Sequence, residues 1–229
     1  MISPLLANAY LHYVFDLWVQ HWRTRRATGE VIVVRYADDM VLGFQHRAEA
    51  ERFLHEWKER LQKFGLELHP DKTRLIEFGR YAAENRKQRG ESKPEVFNFL
   101  GFTHICGKSW KTGRFIVKRK TVQKRLSTKL KEVKEELRRR WHAPVAEVGK
   151  WLRSVVRGYF NYHAVPGNMD SLKSFRTQVI WQWNRALRRR SQKSRMTWER
   201  FGPLVACWIP SAKILHPHPD LRFDAKYLR

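Results

Sequence analysis

The stretch Val31-Ile32-Val33-Val34-Arg35-Tyr36-Ala37-Asp38-Asp39-Met40-Val41-Leu42-Gly43-Phe44 places two adjacent carboxylates where a β-hairpin should turn. Apolar, β-branched runs on either side of a short polar segment are the pattern of two paired strands. Successive strand residues face opposite sides of a sheet, so two neighbouring aspartates can converge on one point only near a turn. An Asp-Asp pair in a hairpin is, taken alone, ordinary turn chemistry. The same pair is also what two-metal phosphoryl transfer requires, where clustered oxygen ligands hold divalent ions. What lies around the hairpin separates the two readings.

Upstream, 3–25 reads as a half-buried helix, and its Asn8, His12 and Asp16 argue against a membrane or signal segment. Downstream, Phe53, Leu54, Trp57, Leu61 and Phe64 share one face of a helix over 48–64, and Gly65 stops it. Two short strands are expected at 66–68 and 73–78, around the turn His69-Pro70-Asp71-Lys72. Residues 80–95 are polar, with Gly90 and Pro94, and read as an exposed loop. A further β-pair is expected over 97–103 and 115–118.

The remainder is periodic at helical spacing. Val122, Leu126, Leu130, Val133, Leu137 and Trp141 form one apolar stripe, and Trp151, Leu152, Val155, Val156, Tyr159 and Phe160 a second. Leu172, Phe175, Val179, Trp183 and Leu187 form a third, so three helices of a small bundle are expected. The stretch from Trp198 contains Pro203, Pro210, Pro217 and Pro219 and is poorly periodic, compatible with a compact or a partly ordered extension. His216 and His218 stand without the Cys, Asp or Glu neighbours of a metal site and read as loop residues.

The formal net charge is +24, and its placement is uneven. Residues 1–79 contain 11 Lys or Arg and 11 Asp or Glu, whereas 80–229 contain 35 and 11. The second part therefore carries the whole excess and calls for a polyanionic partner. No helix shows the broad apolar face of a membrane-surface binder, so nucleic acid is the better reading. Basic runs are usually solvated helical faces. Here acidic partners are too scarce, and such a face would repel itself unless a polyanion covered it. Lys118, Arg119, Lys120, Lys124, Arg125, Lys129 and Lys131 are expected to open the first bundle helix, and Arg138, Arg139 and Arg140 to close it. Arg188, Arg189, Arg190, Lys193 and Arg195 end the third. Such residues contact phosphates without reading sequence. Cys106 and Cys207 lie far apart and lack ligand spacing, which suits a reducing cytoplasm.

Ile2-Ser3-Pro4-Leu5-Leu6-Ala7-Asn8, Tyr36-Ala37-Asp38-Asp39, the block Phe64 to Thr73, and Phe97-Asn98-Phe99-Leu100-Gly101-Phe102 follow one another in order. Together they resemble consecutive blocks of the reverse transcriptases encoded by bacterial group II introns. The resemblance implies an α+β fold. Residues 1–96 would be the carboxy-terminal half of a polymerase palm, and 97–120 a β segment like a primer grip. Residues 121–197 would be a helical thumb, also called maturase domain X, and 198–229 an extension. It places Tyr36, Ala37, Asp38 and Asp39 at the active site, with Asp38 and Asp39 holding Mg2+. Lys72 would assist the departing pyrophosphate, or be an exposed turn lysine. Phe99, Leu100, Gly101 and Phe102 would support the primer end, with Gly101 allowing close backbone approach, or form an aromatic strand in the core. Trp151, Arg153, Tyr159, Phe160, Tyr162 and His163 match the thumb.

Implied partners are group II intron RNA, an RNA template with DNA primer, deoxynucleotides and no membrane, in a bacterial cytoplasm near the nucleoid. A third carboxylate normally comes from an earlier palm strand, beyond a fingers region. Only 35 residues precede Tyr36, and Asp16 on their helix is no substitute. The expectation is therefore the carboxy-terminal part of a larger enzyme, inactive alone and completed by a separate amino-terminal fragment. A splicing cofactor that only binds RNA, or an inactive remnant of a mobile element, are the alternatives.

Overall fold

A computed structural model describes residues 3–110, 112–190 and 196–219, so the expectations for Lys193 and Arg195 lie outside the described residues. The chain is α+β and divides into two compact units, residues 1–77 and 78–229.

The first unit opens with α1 (Ser3–Leu11), a π-helical turn (His12–Asp16) and α2 (Leu17–Arg25), which run on as one rod over the expected span. A π-turn inserts extra backbone into the helix and is common at functional sites. Here Arg60 reaches across to donate to the carbonyls of Val14 at 2.6 Å and Tyr13 at 3.2 Å. The antiparallel hairpin follows as β1 (Val31–Tyr36) and β2 (Asp39–Phe44), then α3 (Arg47–Lys63). Val14, Phe15, Val19 and Trp22 of the rod pack with Phe53, Trp57 and Leu61 of α3. Phe15 meets the Trp57 ring edge-on at 4.8 Å, and Trp22 meets Phe53 at 5.0 Å. Edge-to-face contacts of this kind stabilise beyond simple burial. Ahead of the hairpin, buried Glu49 accepts bonds from the Thr28 amide at 2.6 Å and hydroxyl at 2.7 Å, which fixes how the chain enters β1.

Neither 66–68 nor 73–78 is a strand. A strand needs a ladder partner, and the backbone there is committed elsewhere: the Leu66 amide bonds Leu61, and the Thr73 amide bonds His69. Leu66 and Leu68 still pack on the core as single side chains.

In the second unit, 80–95 is not all loop. It contains α4 (Ala82–Gln88), which buries Ala82 and ends before Gly90 at φ 72°. A three-stranded antiparallel meander follows: β3 (Phe97–Phe99), β4 (Phe102–Lys108) and β5 (Phe115–Thr121). Then come α5 (Gln123–Arg139), α6 (Val145–His163), α7 (Met169–Arg189) and α8 (Trp198–Trp208). The three apolar stripes predicted from spacing supply most of the core, with Leu152, Val156, Leu172, Phe175, Val179 and Trp183 wholly buried, while Val122, Trp141, Trp151 and Val155 are half-buried. α8 joins them, because Phe201 and Ile209 enter the same core, so the stretch after Trp198 is a fourth packed helix at least to Trp208.

A buried polar knot ties this sheet to the bundle. Asn168 accepts from the Thr121 amide at 2.9 Å and donates to the Thr121 hydroxyl and the His163 carbonyl, both at 2.8 Å. The His163 imidazole lies 3.3 Å from the Thr121 hydroxyl and against the Phe102 ring.

Candidate functional site

The acidic pair sits at the hairpin tip. Tyr36 pairs with Asp39 in the last rung, so Ala37 and Asp38 alone make the loop. Ala37 takes φ 53°, a left-handed conformation that costs a side-chain-bearing residue about 1–2 kcal/mol. Strain of this size persists only where surrounding contacts enforce it, and Arg35 supplies them. Alternation puts Arg35 on the covered face with Val31 and Val33. There its guanidinium grips Asp16 with two bonds of 2.8 and 2.6 Å, Asn8 at 3.0 Å, and the Ala37 carbonyl at 2.9 Å. Asp16 leaves the π-turn to meet it. The Arg35 bonds, foremost, hold the Asp16 carboxyl below the ordinary carboxylate range.

Asp38, Asp39 and Tyr36 are exposed. Hard carboxylate oxygens suit Mg2+, which keeps several waters and takes further ligands from substrate phosphates. Asp16 is already committed to Arg35, and no group of three or more His, Cys, Asp or Glu among the described residues could hold a metal. Asp38 and Asp39 therefore fit Mg2+ in kind and would supply only part of its shell. Lys72 is exposed in the His69–Thr73 turn, and no hydrogen bond or ion pair links it to either aspartate.

In the second unit, Leu100 and Gly101 form the two-residue loop between β3 and β4, with φ 47° and 79°. Positive φ at both positions gives the twist that a tight hairpin prefers. The Tyr162 hydroxyl donates to the Leu100 carbonyl at 2.7 Å, and the Phe102 ring, buried, stacks on Tyr162 at 5.7 Å. The Arg125 guanidinium lies over Gly101, where a Cβ would come within 2.7 Å of it. The open backbone at Gly101 is thus covered by a cation of its own unit. Beside this turn, α5 and α6 border a cleft of about 470 Å³ lined by Arg125, Lys129, Ser154 and Tyr162, among others.

The basic residues are less uniform than their runs suggest. Lys118, Arg119 and Lys120 lie in β5, not on the first bundle helix, because the sheet ladder continues to Thr121. Lys124 and Arg125 open α5 and are exposed. Glu136 engages Arg140 at 2.8 Å and Arg139 at 3.6 Å, and Arg140 also covers the Trp151 ring. Arg138, one helical step away, has no ion pair among the described residues, and it shares a second cleft with Arg189. Arg188 is exposed and Arg190 half-buried at the end of α7. His216 is a structural loop residue that bonds the Asn161 carbonyl at 2.7 Å.

Spacing alone did not find Arg35 or its partners. An arginine on the covered face of a half-buried strand was the available signal, since a covered cation requires a carboxylate.

Residues 1–104 match the family described as reverse transcriptase (RNA-dependent DNA polymerase). The matched span holds the acidic tip, its Arg35 clamp, Lys72 and the Leu100–Gly101 turn. No curated protein matches the chain. No helix among the described residues is long and apolar enough to cross a membrane.

Proposed function

We propose that the chain is part of an RNA-directed DNA polymerase of the group II intron type, with maturase function in its second unit. The observation that carries this reading is the clamped tip. Two adjacent carboxylates stand exposed at a strained two-residue loop, within a stretch that matches reverse transcriptases. In this reading Asp38 and Asp39 are ligands of Mg2+, with Tyr36 and Ala37 shaping the tip and Lys72 a candidate proton donor to the pyrophosphate. What bound Mg2+ supplies there is activation of the primer hydroxyl and charge stabilisation at the departing pyrophosphate. The Phe99–Phe102 turn supports the primer end, and the cleft beside it, with Lys118, Arg119, Lys120, Lys124 and Arg125, takes the duplex backbone. The helices bind intron RNA. Residues 1–96 act as palm, 97–120 as primer grip and 121–197 as thumb.

Two carboxylates make an incomplete two-metal site, so a further polypeptide segment supplies the third. The test is primer extension on an RNA template with deoxynucleotides and Mg2+. The chain alone should be inactive. Addition of an amino-terminal fragment with fingers and first palm strand should restore synthesis, and Asp38→Asn or Asp39→Asn should abolish it. Robust extension by the isolated chain would reject the reading of an incomplete site, and indifference to both substitutions would reject the assignment of Asp38 and Asp39.

A splicing cofactor without polymerase activity is the second reading, favoured by the concentration of positive charge after residue 79. It is distinguished by intron splicing that survives Asp38→Asn while extension is never seen.

A further inference from the structure

Between the later turns of α5 and α7 lies a separate cleft of about 170 Å³, bordered by Lys134, Arg138, Trp141, Gln182, Arg185 and Arg189. Four of its eight lining residues are cations, and none of the four has an ion pair among the described residues, since Glu132 serves Lys129 and Glu136 serves Arg139 and Arg140. Four like charges around one hollow are unfavourable without an anion to bridge them. Trp141 is half-buried and stands outside the apolar cluster of the bundle. The Gln182 side-chain amide donates to the Leu130 carbonyl at 3.2 Å, which orients it and leaves Oε1 buried with no hydrogen-bond partner. A buried acceptor left unmatched costs about 1–3 kcal/mol, which a donor in the cleft would relieve once the Gln182 side chain turns toward it.

We propose that this cleft captures one unstacked nucleotide of a single-stranded or looped polynucleotide. Its phosphates lie against Arg138, Arg185, Arg189 and Lys134, its base lies on the Trp141 indole, and a base N–H meets Gln182 Oε1. A simple anion would leave the indole and the acceptor without a role, and an apolar ligand would leave the cations without one. The volume falls below the ~300–1,000 Å³ of sites that enclose whole drug-sized ligands, and suits one base ring rather than a duplex. The proposal rests on the reading that the second unit binds nucleic acid, and adds that it holds a flipped or single-stranded base there.

Fluorescence anisotropy of the full chain with labelled oligoriboadenylate, oligodeoxyadenylate and a duplex of equal length tests it. Trp141→Leu should weaken single-strand binding by about 5- to 150-fold, the cost of one lost base stack, and leave duplex binding nearly unchanged. Trp141→Phe keeps an aromatic face and should retain most of the affinity. The double substitution Arg138→Gln, Arg185→Gln should flatten the salt dependence of single-strand binding by roughly one phosphate contact or more. The ribo and deoxy arms identify which strand type is preferred. Equal weakening of single strand and duplex by Trp141→Leu, no weakening at all, or a Phe variant as weak as the Leu variant each overturns the proposal. A wild-type chain that binds none of the three probes instead rejects the underlying nucleic-acid reading.

Discussion

Acidification between about pH 6.5 and pH 4 should destabilise the second unit through one buried imidazole. His163 is 8 % exposed, and its ring sits among Tyr159, Phe102 and the Thr121 hydroxyl. Burial first, and the positive charge of Arg125 second, lower its pKa to about 4. The unfolded chain would titrate this group near the ordinary value of about 6.5. Because the folded pKa is the lower one, the unfolded state binds the proton first as pH falls. Stability is therefore full above about pH 6.5, declines below it, and stops declining once the pH passes the folded value. A gap of roughly 2.5 units corresponds to about 3 kcal/mol at the acid limit, a substantial part of the ~5–15 kcal/mol that holds a domain together.

Two measurements check this. The His163 ring carbon should titrate by NMR near pH 4 and not near 6.5, and urea unfolding of His163→Gln should lose much of the wild-type slope across that window. A residual slope is expected, since burial also lowers the pKa of His104, which stacks on Phe97 at 4.8 Å. Parallel stability curves for wild type and variant, or a His163 resonance titrating at the ordinary value, would refute the reasoning.

Asp16→Asn should destabilise the first unit by about 1.5–3 kcal/mol in neutral urea unfolding, because it removes the charge-assisted bonds to Arg35. The Asp16 carboxyl is held below its usual range, so its contribution is present above about pH 4 and lost as pH falls through that lowered value; the variant should lack this acid limb. Gly149→Ala should cost about 1–3 kcal/mol by calorimetry, since the new Cβ would come within 2.5 Å of the Trp208 ring and force α8 off α6. An unchanged melting temperature would contradict that packing.

The hairpin and the stripes of α5, α6 and α7 were legible because each rests on one local period and one buried face. Most of their buried residues are those that spacing selected, and Val148, Gly149, His163 and Ile180 join them from the flanks of the stripes. Strands at 66–68 and 73–78 were misread because strand propensity says nothing about whether a partner is present. α8 was obscured by Pro203, which lies inside the helix and suggests a break. The basic runs misled in another way. At about 100° per residue, adjacent arginines on a helix point apart, so Arg138 faces a cleft while its two neighbours share Glu136. At the tip, the pattern showed the two aspartates but not the clamp, because Asp16, Asn8 and Arg35 meet only through tertiary folding.

One consequence of that clamp concerns α1. From Pro4 to Tyr10 every residue of this helix is solvent-accessible, and Leu5 is 72 % exposed. It is moored by the Tyr10 hydroxyl, which donates to the Phe64 carbonyl, by the edge contact of those two rings, and by the Asn8 side-chain oxygen, which accepts from Arg35. A helix so thinly anchored should exchange its amide hydrogens early, well before the rod beyond the π-turn. Each time it unwinds, the guanidinium that steadies the acidic loop loses a partner, so the rigidity of the tip is borrowed from the least protected segment of its unit.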